Sequence, residues 1–268
     1  MKKIFSSFYT VLCFIFLYAP IAILVVFSFN SDKGFKWMGF STKWYAELFR
    51  NEEIIGALVN TLIVALVASV FATIMGTMAA FGIHNMRNKY VKNSIRTLTN
   101  IQLLNPEIVT GISLMLLFAY FKLQSGFVTL ILAHITFCVP TVVLSVLPKL
   151  RQMNVSLYEA AMDLGCNKRQ AFMKAVIPEI MPGIVSGFLM ALTYSIDDFV
   201  ISYFTSGTTS QTLPIVIYSM TKKQVTPTIY ALTTLMFVAV FAVLIIYNVV
   251  DVRFENQKKK AAGAAKKS

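Results

Sequence analysis

Long apolar runs separated by short polar stretches dominate the chain. Runs at roughly 8–29, 57–83, 98–121, 127–147, 183–204 and 228–250 each approach the about 20 mostly apolar residues needed to cross a bilayer core. Each is too long for a strand and none alternates with period two, which argues for helices and against a β-barrel. The first run opens MKKIFSSFYTVLCFIFLYAP, with Lys2 and Lys3 ahead of it as in a signal peptide. It continues apolar through Phe29 with no A-x-A site, so it is read as a retained first span. The expected fold class is all-α: a polytopic membrane protein with six transmembrane helices over residues 1–250. A tail at 251–268 is expected to be disordered.

Composition agrees, with 57% hydrophobic and 13% charged residues and a mean hydropathy of +0.69. The net charge of +12 is unevenly spread. Lys and Arg gather at the N-terminus, at 84–97, at 148–182 and in the tail, and are sparser at 31–56, 122–126 and 205–227. The positive-inside rule then puts both termini and the 148–182 segment in the cytoplasm. That asymmetry accounts for the charge without nucleic acid, and the tail KKKAAGAAKKS is suited to touch anionic membrane lipid. Cys13, Cys138 and Cys166 suggest neither a disulfide nor a metal site. His134 is expected to bond a neighbouring helix. Trp37, Trp44 and Tyr45 read as interfacial aromatic anchors, with contact to a docked extracytoplasmic protein as the alternative.

The stretch SLYEAAMDLGCNKRQAFMKAVIPEIMPG at 156–183 is polar and carries its own helix punctuation. Ser156 with Glu159 fits a capping box. Leu157, Ala160, Ala161 and Leu164 form one helical face. Gly165 is placed as a left-handed stop. Asn167 with Gln170 starts a second helix, whose apolar stripe is Phe172, Ala175 and Val176 and which Pro178 and Pro182 are expected to end. A small-residue face of this kind suits docking in a partner's groove; an amphipathic connector on the lipid surface is the competing reading.

EAAMDLGCNKRQAFMKAVIP resembles the EAA loop of type I (MetI-like) ABC importer permeases, with Glu159, Ala160, Ala161, Gly165, Ile177 and Pro178 filling the pattern. GFSTKWYAELF, NPEIVTGISLMLLF, HITFCVP, SIDDFVISYFTSG and LPIVIYSM extend the resemblance to the permeases of spermidine/putrescine importers. The resemblance implies that Glu159, Ala160, Ala161 and Gly165 couple to a cytoplasmic ATPase dimer. It also implies a second homologous permease subunit, an extracytoplasmic polyamine-binding protein and a bacterial inner-membrane location. No phosphate loop, nucleophile elbow or HExxH pair occurs here. The chain is therefore expected to have no catalytic residues and no cofactor, with ATP and Mg²⁺ bound by the partner ATPase.

Charged side chains inside spans are costly and mark functional positions. Glu107, Asp197 and Asp198 are such positions, and carboxylates suit a pathway for polycations. Gly183, Gly187, Ala191 and Ser195 recur every four residues as a stripe. At about 100° per residue Asp198 falls on that stripe and Asp197 off it, which ranks Asp198 first for lining the pathway. Glu107 follows Pro106, which interrupts the helix. Ala68, Ala72, Gly76 and Ala80 form a second stripe, read as helix packing. Another substrate on the same architecture, or a stand-alone secondary transporter, remains as a rival.

Overall fold

A computed structural model describes residues 2–33, 36–223 and 227–265. The helices are α1 (Lys2–Phe27), α2 (Lys43–Arg50), α3 (Glu52–Asn85), α4 (Lys89–Leu104), α5 (Glu107–Tyr120), α6 (Phe127–Gln152), α7 (Val155–Asp163) and α8 (Lys168–Ala171). A π-turn at Phe172–Val176 follows, then α9 (Ile177–Asp197), α10 (Val200–Thr205), α11 (Leu213–Lys223) and α12 (Pro227–Ala265). Among the described residues, five helices are long and apolar enough to cross a membrane, and α5 is a shorter apolar one.

The chain forms two compact units, residues 1–59 with 213–240, and residues 60–212 with 241–268. In the first, Trp44, Leu48, Ile54 and Ala57 pack with Leu213 and Val216 of α11 and with Ala231 and Leu232 of α12. Trp44 is buried, and its indole N–H donates to Asn30 O at 2.7 Å. Tyr45 and Ser28 share a hydroxyl hydrogen bond of 2.6 Å. These two aromatics therefore pin α2 to the end of α1 and are not free interfacial anchors; Trp37 is the half-exposed one. Asn30 spans the intervening loop, donating to Lys36 O at 2.8 Å and accepting from Met38 N at 2.9 Å. The helix α11 lies where the sequence reading placed only a loop.

The second unit is built on α6. Its central residues Cys138, Val142, Val146 and Leu150 pack with Ala72 and Ala80 of α3 and with Ile180 and Ala191 of α9. Both small-residue stripes are packing surfaces. A Cβ on Gly76 would lie 2.7 Å from Val142 Cβ, one on Gly187 3.2 Å from Val142 Cα, and one on Gly183 2.8 Å from Lys149 Cγ. Helices approach this closely only where side chains are absent.

Several expected boundaries shift. The third run is not one helix: α4 ends at Leu104 and α5 starts at Glu107, because Pro106 lacks the donor a continuous helix needs. The fifth run breaks at Asp198, whose backbone is extended (φ −62°, ψ 120°). Pro178 does not end the second hairpin helix. Ile177 N–H reaches back to Phe172 O, and this π-turn carries the chain straight into α9. The tail expected to be disordered continues α12 as helix to Ala265, in keeping with its Ala- and Lys-rich composition.

Candidate functional site

The sequence-predicted residues fall into two places. Glu107, Asp197 and Asp198 come together around one cavity of about 490 Å³ in the second unit, with Asn105, Thr110, Phe137, Thr141 and Tyr194. Glu107 sits in the first turn of α5, just after the Pro106 break, and its side chain is open. Asp197 is the last residue of α9 and is also open. Among the described residues, no Lys or Arg lines the cavity. Phe137 and Tyr194 add aromatic faces, and the Thr141 hydroxyl has no hydrogen-bond partner.

Asp198 differs from both. Its side chain is only 5% exposed. One oxygen accepts from Ile201 N at 3.2 Å, and the other from Ser202 N at 2.7 Å and Ser202 Oγ at 2.8 Å. It thus caps the start of α10, satisfying donors that the broken helix would leave bare. His134 completes the network, with Nδ1 2.6 Å from Ser195 Oγ and Nε2 3.0 Å from Ser202 Oγ. The Ser202 hydroxyl donates to Asp198, so it accepts from Nε2–H, and Nδ1 accepts from the Ser195 hydroxyl. His134 therefore bonds neighbouring helices, as its sequence context predicts.

The helical-phase argument for ranking the two aspartates does not hold. The phase argument carries α9 through position 198, but the helix stops at Asp197. The small-residue stripe packs on α6; Asp198 stands in the cavity wall with its oxygens engaged in the cap, and Asp197 is the more open carboxylate. Periodicity could not show this, because the donors that capture Asp198 lie beyond the break.

The second place is the hairpin at α7–α8. Its first cap is Asn154, which accepts from Ser156 N at 3.1 Å, and not Ser156 itself; Asn154 lies one residue ahead of the first helical position. Gly165 has φ +85°, with Gly165 N donating to Met162 O at 3.0 Å and Cys166 N to Ala161 O at 3.1 Å. Those two bonds define a Schellman stop, for which glycine is the suited residue. Asn167 and Gln170 exchange reciprocal cap bonds of 2.9 and 3.0 Å. Glu159, Ala160 and Gly165 are exposed, and Ala161 is half-buried. Leu157 is also exposed, and Leu164 is 87% exposed. Tyr158 packs inward on the core, and Phe172 meets Phe81 of α3 with ring centroids 4.5 Å apart. The hairpin is thus anchored on one side and presents an apolar face on the other.

One continuous segment joins the two places. Residues Lys168–Asp197 form a span-length helical stretch, π-turn included, so about 45 Å of helix connects the hairpin to the cavity edge. Apolar helices of span length, one of them broken beside an acidic cavity, and an exposed hairpin are features of a membrane permease. The chain belongs to the family of binding-protein-dependent transport system inner membrane components, with the match spanning residues 72–256. It is 37% identical over 236 residues to the spermidine/putrescine transport system permease protein PotC of Haemophilus influenzae, covering 88% of this chain and 91% of that one. It is 39% identical over 252 residues to the putrescine transport system permease protein PotI of Escherichia coli K12, covering 91% and 90%. The fold also matches a bacterial ABC transporter that imports the acidic polysaccharide alginate. That match has a TM-score of 0.73 at 15% identity, covering 94% of this chain and 97% of that one.

Proposed function

We propose that this chain is a permease subunit of an ATP-driven polyamine importer, passing spermidine or putrescine across the bacterial inner membrane. The observation that carries the reading is a single helical segment running from an exposed docking hairpin to a cavity edged by two open carboxylates. Polyamines are flexible polycations. Glu107 and Asp197 offer them charge, Phe137 and Tyr194 offer cation–π faces, and among the described residues no basic side chain lines the cavity to repel them. The similarity to PotC and PotI supports the same substrate class. An acidic polysaccharide, as carried by the alginate importer, would meet like charge here.

The chain has no catalytic role in this reading. ATP and Mg²⁺ bind a cytoplasmic ATPase dimer, which seats the face around Glu159, Ala160, Ala161 and Gly165. A second permease closes the other side of the pathway, and an extracytoplasmic polyamine-binding protein delivers substrate. Both termini and the hairpin lie in the cytoplasm, following the Lys and Arg distribution. The test is reconstitution of the assembly in liposomes with labelled spermidine and putrescine. ATP-dependent accumulation of either, competed by the other and not by acidic oligosaccharides, is expected. Accumulation of neither polyamine overturns the substrate assignment, and a chain that transports without any ATPase overturns the class.

A further inference from the structure

We propose that His134 is a positioning residue for the pathway. It holds the break between α9 and α10 so that Asp197 stands open at the cavity while Asp198, in the same wall, is tied into the cap of α10. This rests on the reading of that cavity as the pathway.

His134 is fully buried, sits in the first third of α6, and reaches both sides of the break at once. Nδ1 takes the hydroxyl of Ser195, three residues before Asp198, and Nε2 donates to Ser202, four residues after it. Its Nε2 is also 3.5 Å from Asp198 Oδ2. Beside the cluster lie Asp197 and Glu107, which line the same cavity as Asp198, and Cys138, whose thiol donates to Ala191 O at 3.5 Å.

A continuous helix through 198 would satisfy the backbone donors of Ile201 and Ser202 by itself. The broken form stands only because other groups take over that work. Asp198 supplies the acceptors for those donors, and the imidazole ties Asp198's partner Ser202 and the last turn of α9 to α6. Removing the ring takes the acceptor from the buried Ser195 hydroxyl and one of two partners from Ser202, which favours a different course for residues 196–202. Ring stacking alone does not explain the arrangement. The Phe137 ring lies edge-on to His134 at 5.2 Å, a contact that a phenyl ring at 134 would keep while losing both nitrogens.

The experiment reads geometry separately from transport. In a chain with Cys13, Cys138 and Cys166 replaced by Ala, single cysteines are placed at Asp197, which is open, and at Ile201, which is buried. The assembled complex is labelled with a cationic methanethiosulfonate reagent. With His134 present, the 197 position labels much faster than 201. His134→Phe is expected to shrink that ratio about tenfold, as loss of two buried hydrogen bonds implies. His134→Gln, which keeps one polar arm, is expected to restore part of it. An unchanged ratio in His134→Phe overturns the proposal. If that variant does not assemble, His134→Gln carries the test, and a ratio equal to that of the parent overturns it. A collapsed ratio, with normal spermidine uptake by His134→Phe carrying native Asp197, keeps the positioning role and overturns the reading of this cavity as the pathway.

Discussion

Val142 occupies the space that a side chain on Gly76 would need: a Cβ there would fall 2.7 Å from Val142 Cβ. Val142 is fully buried, and on its other side it meets Gly187 of α9. Both neighbours of α6 thus approach it through positions without side chains. Gly76→Ala should destabilise the second unit by about 1–3 kcal/mol through overpacking. Thermal unfolding of the detergent-solubilised complex measures it. Gly76→Ala with Val142→Ala should recover much of the loss, whereas Gly82→Ala, with nothing within 4 Å of its Cβ, should be neutral or stabilising. Equal effects at Gly76 and Gly82 would remove the packing role.

The two aspartates should separate by phenotype. Asp197→Asn replaces an open carboxylate and should lower polyamine uptake several-fold to about 30-fold, with assembly intact, because a charged hydrogen bond is worth about 1.5–3 kcal/mol against 0.5–1.5 for a neutral one. Asp198→Asn weakens a buried cap with three donors and should lower the melting temperature and the amount of assembled complex. Uptake normalised to assembled subunit, beside a melting curve, distinguishes them. A stable, fully assembled Asp198→Asn complex would refute the capping assignment.

At the hairpin, Gly165 is conformationally constrained but not crowded: φ is +85° and nothing lies within 4 Å of a built Cβ. Gly165→Ala should therefore cost about 1–2 kcal/mol of local strain and no steric clash. Gly165→Asn should cost less, since asparagine tolerates the left-handed region. Retention of the ATPase on the purified permease and ATP-driven uptake should fall in the order Gly, Asn, Ala, while subunit level in the membrane is unchanged. A reversed order would mean that the turn is not what the partner reads.

The position of the first cap is testable by itself. Asn154→Ala should weaken α7 by about 1 kcal/mol, while Ser156→Ala should be near neutral. Limited proteolysis of the hairpin reports the difference as faster cleavage within 155–163. Faster cleavage in Ser156→Ala alone would return the cap to Ser156.

What the chain determined by itself is whatever a few neighbouring residues decide together. Apolar runs of span length set the all-α class, since the bilayer thickness imposes the length. The Schellman stop at Gly165 and the Asn167–Gln170 cap were readable because their hydrogen bonds close within a single turn. The choice of Asn154 over Ser156, two competing caps two residues apart, was not readable, since both residue types serve. The roles of Trp44 and Tyr45 were hidden for a different reason: their partners, Asn30 and Ser28, lie on a loop whose course the hydropathy pattern does not specify. The break at Asp198 was hidden most deeply. A helix there competes with a cap, and the balance is tipped by His134, 61 residues before Ser195 and 68 before Ser202. Only when α6 lies beside α9 do those groups meet. The tertiary structure therefore decided which of two adjacent carboxylates is tied into a cap and which is left open.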